Sequence, residues 1–121
     1  MKANEFTEVV HNQFNTCELV LGDKAAEYAT DDRLHNFKIS AQLQGISPKK
    51  ALAGMMAKHT TSIYDMCASD IIYPADKWDE KITDHINYLV LLKALIIDQE
   101  KAAIAQGDSP VDIFLNSIGP E

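Results

Sequence analysis

From Phe6 onward the apolar residues of this chain recur every three or four positions rather than every two. That spacing lays apolar side chains along one face of a helix, and it predicts an all-α fold. Phe6, Val9, Val10, Phe14, Cys17 and Leu21 share a face of a first helix over about 5–21, with Asn4 as its cap and Gly22 as a left-handed stop. Lys24 to Tyr28 reads as a helical turn of its own or as part of a longer loop. Asp31 and Asp32 are N-caps for a second helix that reaches Gln44 and ends at Gly45. Its apolar positions are few (Leu34, Phe37, Ile39, Leu43), so it is only partly buried. Ser47 caps a third helix and Pro48 opens it, at the position where a missing N–H costs nothing. That helix runs to about Ala68 with Leu52, Met56, His59, Ile63 and Met66 as its stripe. Pro74 and Asp76 begin a long fourth helix that ends near Gln106, before Gly107.

Four main helices with short connections imply an antiparallel bundle in a single domain over 1–121. The bundle proper occupies 1–107. The tail over 108–121 has Ser109 and Pro110 as a capped start and Val111, Phe114, Leu115 and Ile118 as an apolar face. It predicts a short amphipathic helix that docks on this subunit or on a neighbour. The fourth helix carries more. Tyr88, Leu89, Val90, Leu91, Leu92, Leu95, Ile96 and Ile97 surround most of its axis, whereas a surface helix of a monomer shows one apolar stripe. Such a helix is central, and a partner subunit is the simplest cover for its remaining side, so a homo-oligomer is expected.

Composition narrows the partners. Of 121 residues 46% are hydrophobic, which disfavours disorder, and the net charge is −7. An acidic chain does not attract a nucleic-acid backbone or an anionic membrane by its overall field, so neither partner is expected. The longest apolar run, Tyr88 to Ile97, is about half a bilayer span and contains Lys93. The first ten residues lack the apolar core of a signal peptide. Cys17 and Cys67 form no CxxC pair and read as reduced, small apolar residues. A cytoplasmic protein is the expectation, in a host cell if the chain is phage-encoded.

Polar residues also form stripes. Glu80, Asp84 and Asn87 follow i, i+4, i+7 on the fourth helix, and Leu91 and Leu95 continue the same line into the interior. Carboxylates at the edge of a core are costly unless paired or bound to a cation. Lys58, Ser62 and Asp65 repeat the pattern on the third helix, with His59 beside them, and Asp32, Arg33 and Asn36 cluster at the start of the second. Gathered around one pocket, Glu80 and Asp84, with Asp32 or Asp65, would offer oxygen ligands to Mg²⁺. Lys58 and Arg33 would meet phosphates. Asn36 and Asn87 would hydrogen-bond a sugar or base, and Tyr28, Phe37 or Trp78 would stack on it. The plain alternatives are a solvated face for Glu80 and Asp84, with Lys77 and Lys81 beside them, and salt bridges to other helices for Lys58 and Asp65. His59 is equally a hydrogen-bonded boundary residue. No histidine or cysteine spacing suggests zinc, and no GxGxxG, Walker loop or nucleophile motif is present.

The order DKAAEYATDDRLHNFK, GISPKKALAGMMAKHTTSIYDM and WDEKITDHINYLVLLKAL resembles small phage and prophage proteins of the nucleotide modification associated domain type, over about 22–95. The resemblance rests on Lys24, Tyr28, Asp32, Asn36, Phe37, Lys58, His59, Ser62, Asp65, Glu80, Asp84, Asn87 and Tyr88. It implies a nucleotide-handling protein and adds Lys24 and Ser62 to the phosphate-binding candidates. A weaker resemblance is to the all-alpha, MazG-like nucleoside triphosphate pyrophosphohydrolases, whose ExxE and ExxD helices bind Mg²⁺ with four carboxylates. Here the pair is ExxxD, and Glu27 has neither Lys24 nor Thr30 as a carboxylate partner, which leaves three candidate ligands.

Two main expectations follow. One is Mg²⁺-dependent cleavage or modification of a nucleoside phosphate, with Asp65 or His59 as base. The other is a non-enzymatic sponge that sequesters a host cyclic or signalling nucleotide against host defence. A helical module acting on a host protein is the third.

Overall fold

The computed structural model describes residues 1–25, 31–107, 111 and 115, with Ala25 by its backbone only. All regular structure among them is helical: α1 (Ala3–Ala25), α2 (His35–Gln44), α3 (Pro48–Ala68) and α4 (Ala75–Ala105). Of the expected C-terminal helix, only Val111 and Leu115 lie within the described residues, and both are exposed.

The boundaries of α3 and α4 follow the local chemistry of their ends. Ser47 Oγ accepts from the Lys50 N–H at 3.2 Å, and Pro48 opens α3. Gly45 closes α2 at φ 67°, and the Ile46 N–H returns to the Ala41 carbonyl at 3.0 Å. Two ends differ from expectation. Gly22 does not stop α1, which continues to Ala25; the left-handed glycines are Gly45 and Gly107. Asp32 does not cap α2 from the adjoining position. It accepts the Leu34 N–H at 2.9 Å in the turn before the helix, and α2 begins three residues later.

The core lies where α2, α3 and the C-terminal half of α4 meet. Leu34, Phe37, Leu52 and Leu95 are buried together, and Met55, Tyr88, Leu91 and Leu92 pack against them. Leu52 pairs with Leu95 at one end of α3 and Thr60 with His85 towards the other, so α3 and α4 are antiparallel. The tight turn at Gly45 makes α2 and α3 antiparallel as well. α1 departs from this alternation. Gln13 bonds Thr83 and Asn87 bonds Cys17, so α1 and α4 advance in the same direction. The chain reverses twice among its four helices, not three times. Consequently α1 lies along the N-terminal half of α4, and no other helix approaches its backbone among the described residues.

This placement explains why the expected apolar face of α1 is mostly bare. Only Cys17 of that face is buried, while Phe6, Val9 and Phe14 are exposed. Cys67, read from sequence as a small apolar residue, is exposed near the end of α3, and both cysteines are free thiols. No helix among the described residues is long and apolar enough to cross a membrane.

Candidate functional site

The polar stripe of α4 descends from solvent into the interior as it approaches α1. Glu80 is exposed, Asp84 is half-buried and Asn87 is buried at 5% exposure. α1 covers it through polar contacts rather than apolar ones. Gln13 Nε2 donates to Thr83 Oγ1 at 2.8 Å, and Thr83 is buried. Asn87 Nδ2 donates to the Cys17 carbonyl at 3.4 Å. Lys24 Nζ, from the last turn of α1, stands 3.8 Å from Asp84 Oδ1. Arg33, in the turn before α2, donates from Nη1 to the Leu21 carbonyl at 3.1 Å and ties that turn to the end of α1.

Of the spaces that open along this seam, two are lined by residues of the polar stripe. A small pocket of about 70 Å³ is lined by Leu21, Lys24, Arg33, Phe37, Asp84, Asn87, Tyr88 and Leu91. A wider one of about 400 Å³ is lined by Thr16, Val20, Lys24, Asp79, Glu80, Thr83 and Asp84. Lys24 and Asp84 belong to both, so their ion pair stands where the two spaces meet. The pair is long, and Lys24 is half exposed; contacts of this kind contribute about 0–1 kcal/mol and give way readily to a competing charge.

Asn87 is the unusual member. Its Oδ1 is buried and has no hydrogen-bond partner among the described residues. A buried acceptor left without a donor costs about 1–3 kcal/mol. A ligand with an N–H or O–H to offer would relieve that cost.

Six of the residues that carry the candidate site or the resemblance are therefore brought together in the small pocket: Lys24, Arg33, Phe37, Asp84, Asn87 and Tyr88. Glu80 joins Lys24 and Asp84 in the wider space. Others go elsewhere. Lys58, Ser62 and Asp65 line an open depression with Ala57 and Thr61 on α3. Ser62 is half-buried and Lys58 and Asp65 are exposed, and none of the three lines a space between α1 and α4. Trp78 lies edge-on to Tyr73 with ring centroids 6.1 Å apart and lines neither space. Asn36 is exposed on the first turn of α2 and is likewise outside both linings. Tyr28 lies outside the described residues.

Asp32 is engaged by Lys38, whose Nζ lies 2.8 Å from Oδ2. The hydrogen bond from Lys38, followed by that from the Leu34 N–H, holds its carboxyl below the ordinary value. Lys38 also reaches Asp98 of α4 at 3.2 Å, and these two carboxylates hold its ammonium above the ordinary value. Among the described residues no three acidic, histidine or cysteine side chains gather to hold a metal ion. Glu80 and Asp84 remain as a pair, the number that serves Mg²⁺ when a ligand's phosphates complete the shell.

His59 sits behind the site rather than in it. Its ring lies 4.8 Å from that of Tyr88, on the far side of a residue that lines the small pocket. Thr16, Val20, Asp79 and Thr83 line the site without having been singled out in the sequence. Thr83 lies one helical turn before Asn87, and that spacing was its only signal. Against protein-family models, curated proteins and solved structures alike, the chain shows no match.

Proposed function

We propose that this protein binds a nucleoside phosphate in the seam between α1 and α4. The observation that carries the reading is Asn87, a buried amide whose acceptor is unpartnered in a pocket that also holds two cations and two aromatic rings. The small pocket is too tight for a whole nucleotide, since ligand sites usually exceed about 300 Å³. It suits the edge of one, an amino or hydroxyl group donating to Asn87 Oδ1. The body of the ligand would occupy the wider space, over Lys24. A phosphate there displaces Asp84 from Lys24 and takes the ammonium for itself, while Arg33 lines the small pocket beside it. Asp79, Glu80 and Asp84 oppose an anion in the same space, so a Mg²⁺ ion carried by the phosphates would be held by Glu80 and Asp84 and would neutralise the phosphate charge.

The same geometry favours holding the ligand over hydrolysing it. The residues expected as bases, Asp65 and His59, line neither space of the seam. In a phage setting such a protein would act as a sponge for a host nucleotide.

Titration calorimetry with nucleoside mono- and triphosphates and with cyclic nucleotides, with and without Mg²⁺, tests the reading. Chromatography of the ligand recovered after heat denaturation accompanies it. The expected outcome is Mg²⁺-strengthened binding, loss of at least about tenfold in affinity for Lys24→Ala and for Asn87→Leu, and ligand returned intact. Product accumulation would establish the enzyme instead. No heat with any of these ligands, or both variants binding like the parent, would overturn the site.

A further inference from the structure

α4 carries a second apolar face that no helix covers among the described residues. Ile82, Leu89, Val90, Ile96, Ile97 and Ile104 are each between 37% and 53% exposed. Half-buried Ile86 lies among them, and their spacing of three and four residues draws one stripe along the rod. From Ile82 to Ile104 this is about 33 Å of helix. A stripe of that length on a single chain is the sign of an interface.

We propose that a second copy of this chain covers the stripe from Leu89 to Ile104, as a two-fold dimer in which the two α4 helices pack antiparallel. Two observations choose a second copy over another occupant. The first is charge. Lys93 and Glu100 are the charged positions that interrupt the stripe, seven residues apart on the same side. Neither takes part in an ion pair among the described residues. A two-fold axis passing between Ile96 and Ile97 sets Lys93 against the partner's Glu100, and does so twice. The second is the apolar register that this axis dictates: Ile96 meets the partner's Ile97, and Leu89 meets the partner's Ile104. The two helices then overlap from about residue 88 to Ala105, and Ile82 and Ile86 stay outside the contact. A self-complementary patch is what an isologous contact requires.

Asn87 and Asp84 project from another side of α4, towards α1, so both pockets of the dimer stay open. The dimer therefore stands or falls independently of the nucleotide reading.

Sedimentation equilibrium of the full chain from about 1 to 100 μM tests the proposal, with far-UV circular dichroism as the control for folding. The expected result is a mass of twice 13.4 kDa. Ile97→Asp returns a folded monomer. Lys93→Glu and Glu100→Lys each weaken the dimer about tenfold, and the double reversal restores it to within about threefold. A parent that stays monomeric throughout overturns the proposal. So does a dimer that Ile97→Asp leaves intact, or a double reversal as weak as the single ones.

Discussion

The two halves of α4 are buried by different chemistry. In the C-terminal half the fully buried residue is Leu95, clustered with Leu34 from the turn before α2, Phe37 of α2 and Leu52 of α3. In the N-terminal half the buried residues are Thr83 and Asn87, and their cover is a single helix held by Gln13, a backbone carbonyl and a long ion pair. Apolar burial accumulates stability with area, whereas a hydrogen bond made in folding nets only about 1 kcal/mol. One half of the rod is therefore the anchor of the fold. The other is a seam of low stability, where a binding site is least costly to build.

The sharpest way to expose the contrast is to truncate a buried residue in each half. Leu95→Ala leaves a cavity among Leu34, Phe37 and Leu52 and is expected to cost about 3 kcal/mol in denaturant unfolding. Thr83→Ala removes the hydroxyl that receives Gln13 and is expected to cost about 1 kcal/mol. Equal losses at the two sites would erase the distinction.

The second substitution tests whether the seam gives up stability for function. Asn87→Leu keeps the branched shape of the side chain at a larger volume and removes the unpartnered Oδ1 together with one long hydrogen bond. The expected outcome is an unchanged or higher stability, by up to about 1 kcal/mol, with loss of ligand binding. A marked destabilisation would instead make Asn87 a structural tie between α1 and α4.

The sequence carried these two halves with unequal clarity. α3 and α4 were legible almost to the residue, because Ser47 with Pro48, Pro74 and Gly107 act locally and their effect does not depend on what the helices pack against. The polar descent of Glu80, Asp84 and Asn87 into the core was legible for the same reason, as a matter of period. What the period could not show is direction. Nothing in residues 3–25 states that α1 lies parallel to α4, and that arrangement decides that Lys24 meets Asp84 while Phe6 and Phe14 stay bare. The same limit applies to Lys58, Ser62 and Asp65. Their spacing matches that of Glu80, Asp84 and Asn87, but they stand on α3, whereas the seam lies between α1 and α4 and no α3 residue lines its two spaces.

A smaller effect separates binding from folding within the seam. Lys24→Ala breaks an ion pair whose lysine is half exposed, and the stability change is expected to stay within about 0.5 kcal/mol. Ligand affinity falls at least about tenfold by calorimetry, because the ammonium is then missing from both spaces. A protein that loses stability but keeps its affinity would place Lys24 in the fold and not in the site.

The smallest effect lies at the other half, where Lys38 joins the turn before α2 to Asp98 of α4. Asp32 has its carboxyl held below the ordinary 3.8, chiefly by the Lys38 hydrogen bond, so its contribution is present above that value and fades as pH falls through the lowered one. Lys38 has its ammonium held above the ordinary 10.5 by Asp32 and Asp98, so its contribution is present below that value and fades as pH rises through the raised one. The stability difference between the parent and Lys38→Met is therefore expected to be flat between those two values and to shrink outside them. It should remain under about 1 kcal/mol, since the pairs are solvent-exposed, and should fall in high salt. The measurement is urea unfolding of both proteins from pH 2 to pH 11. A difference that persists unchanged at pH 2 would mean that Lys38 acts through the packing of its methylene stem and not through its charge.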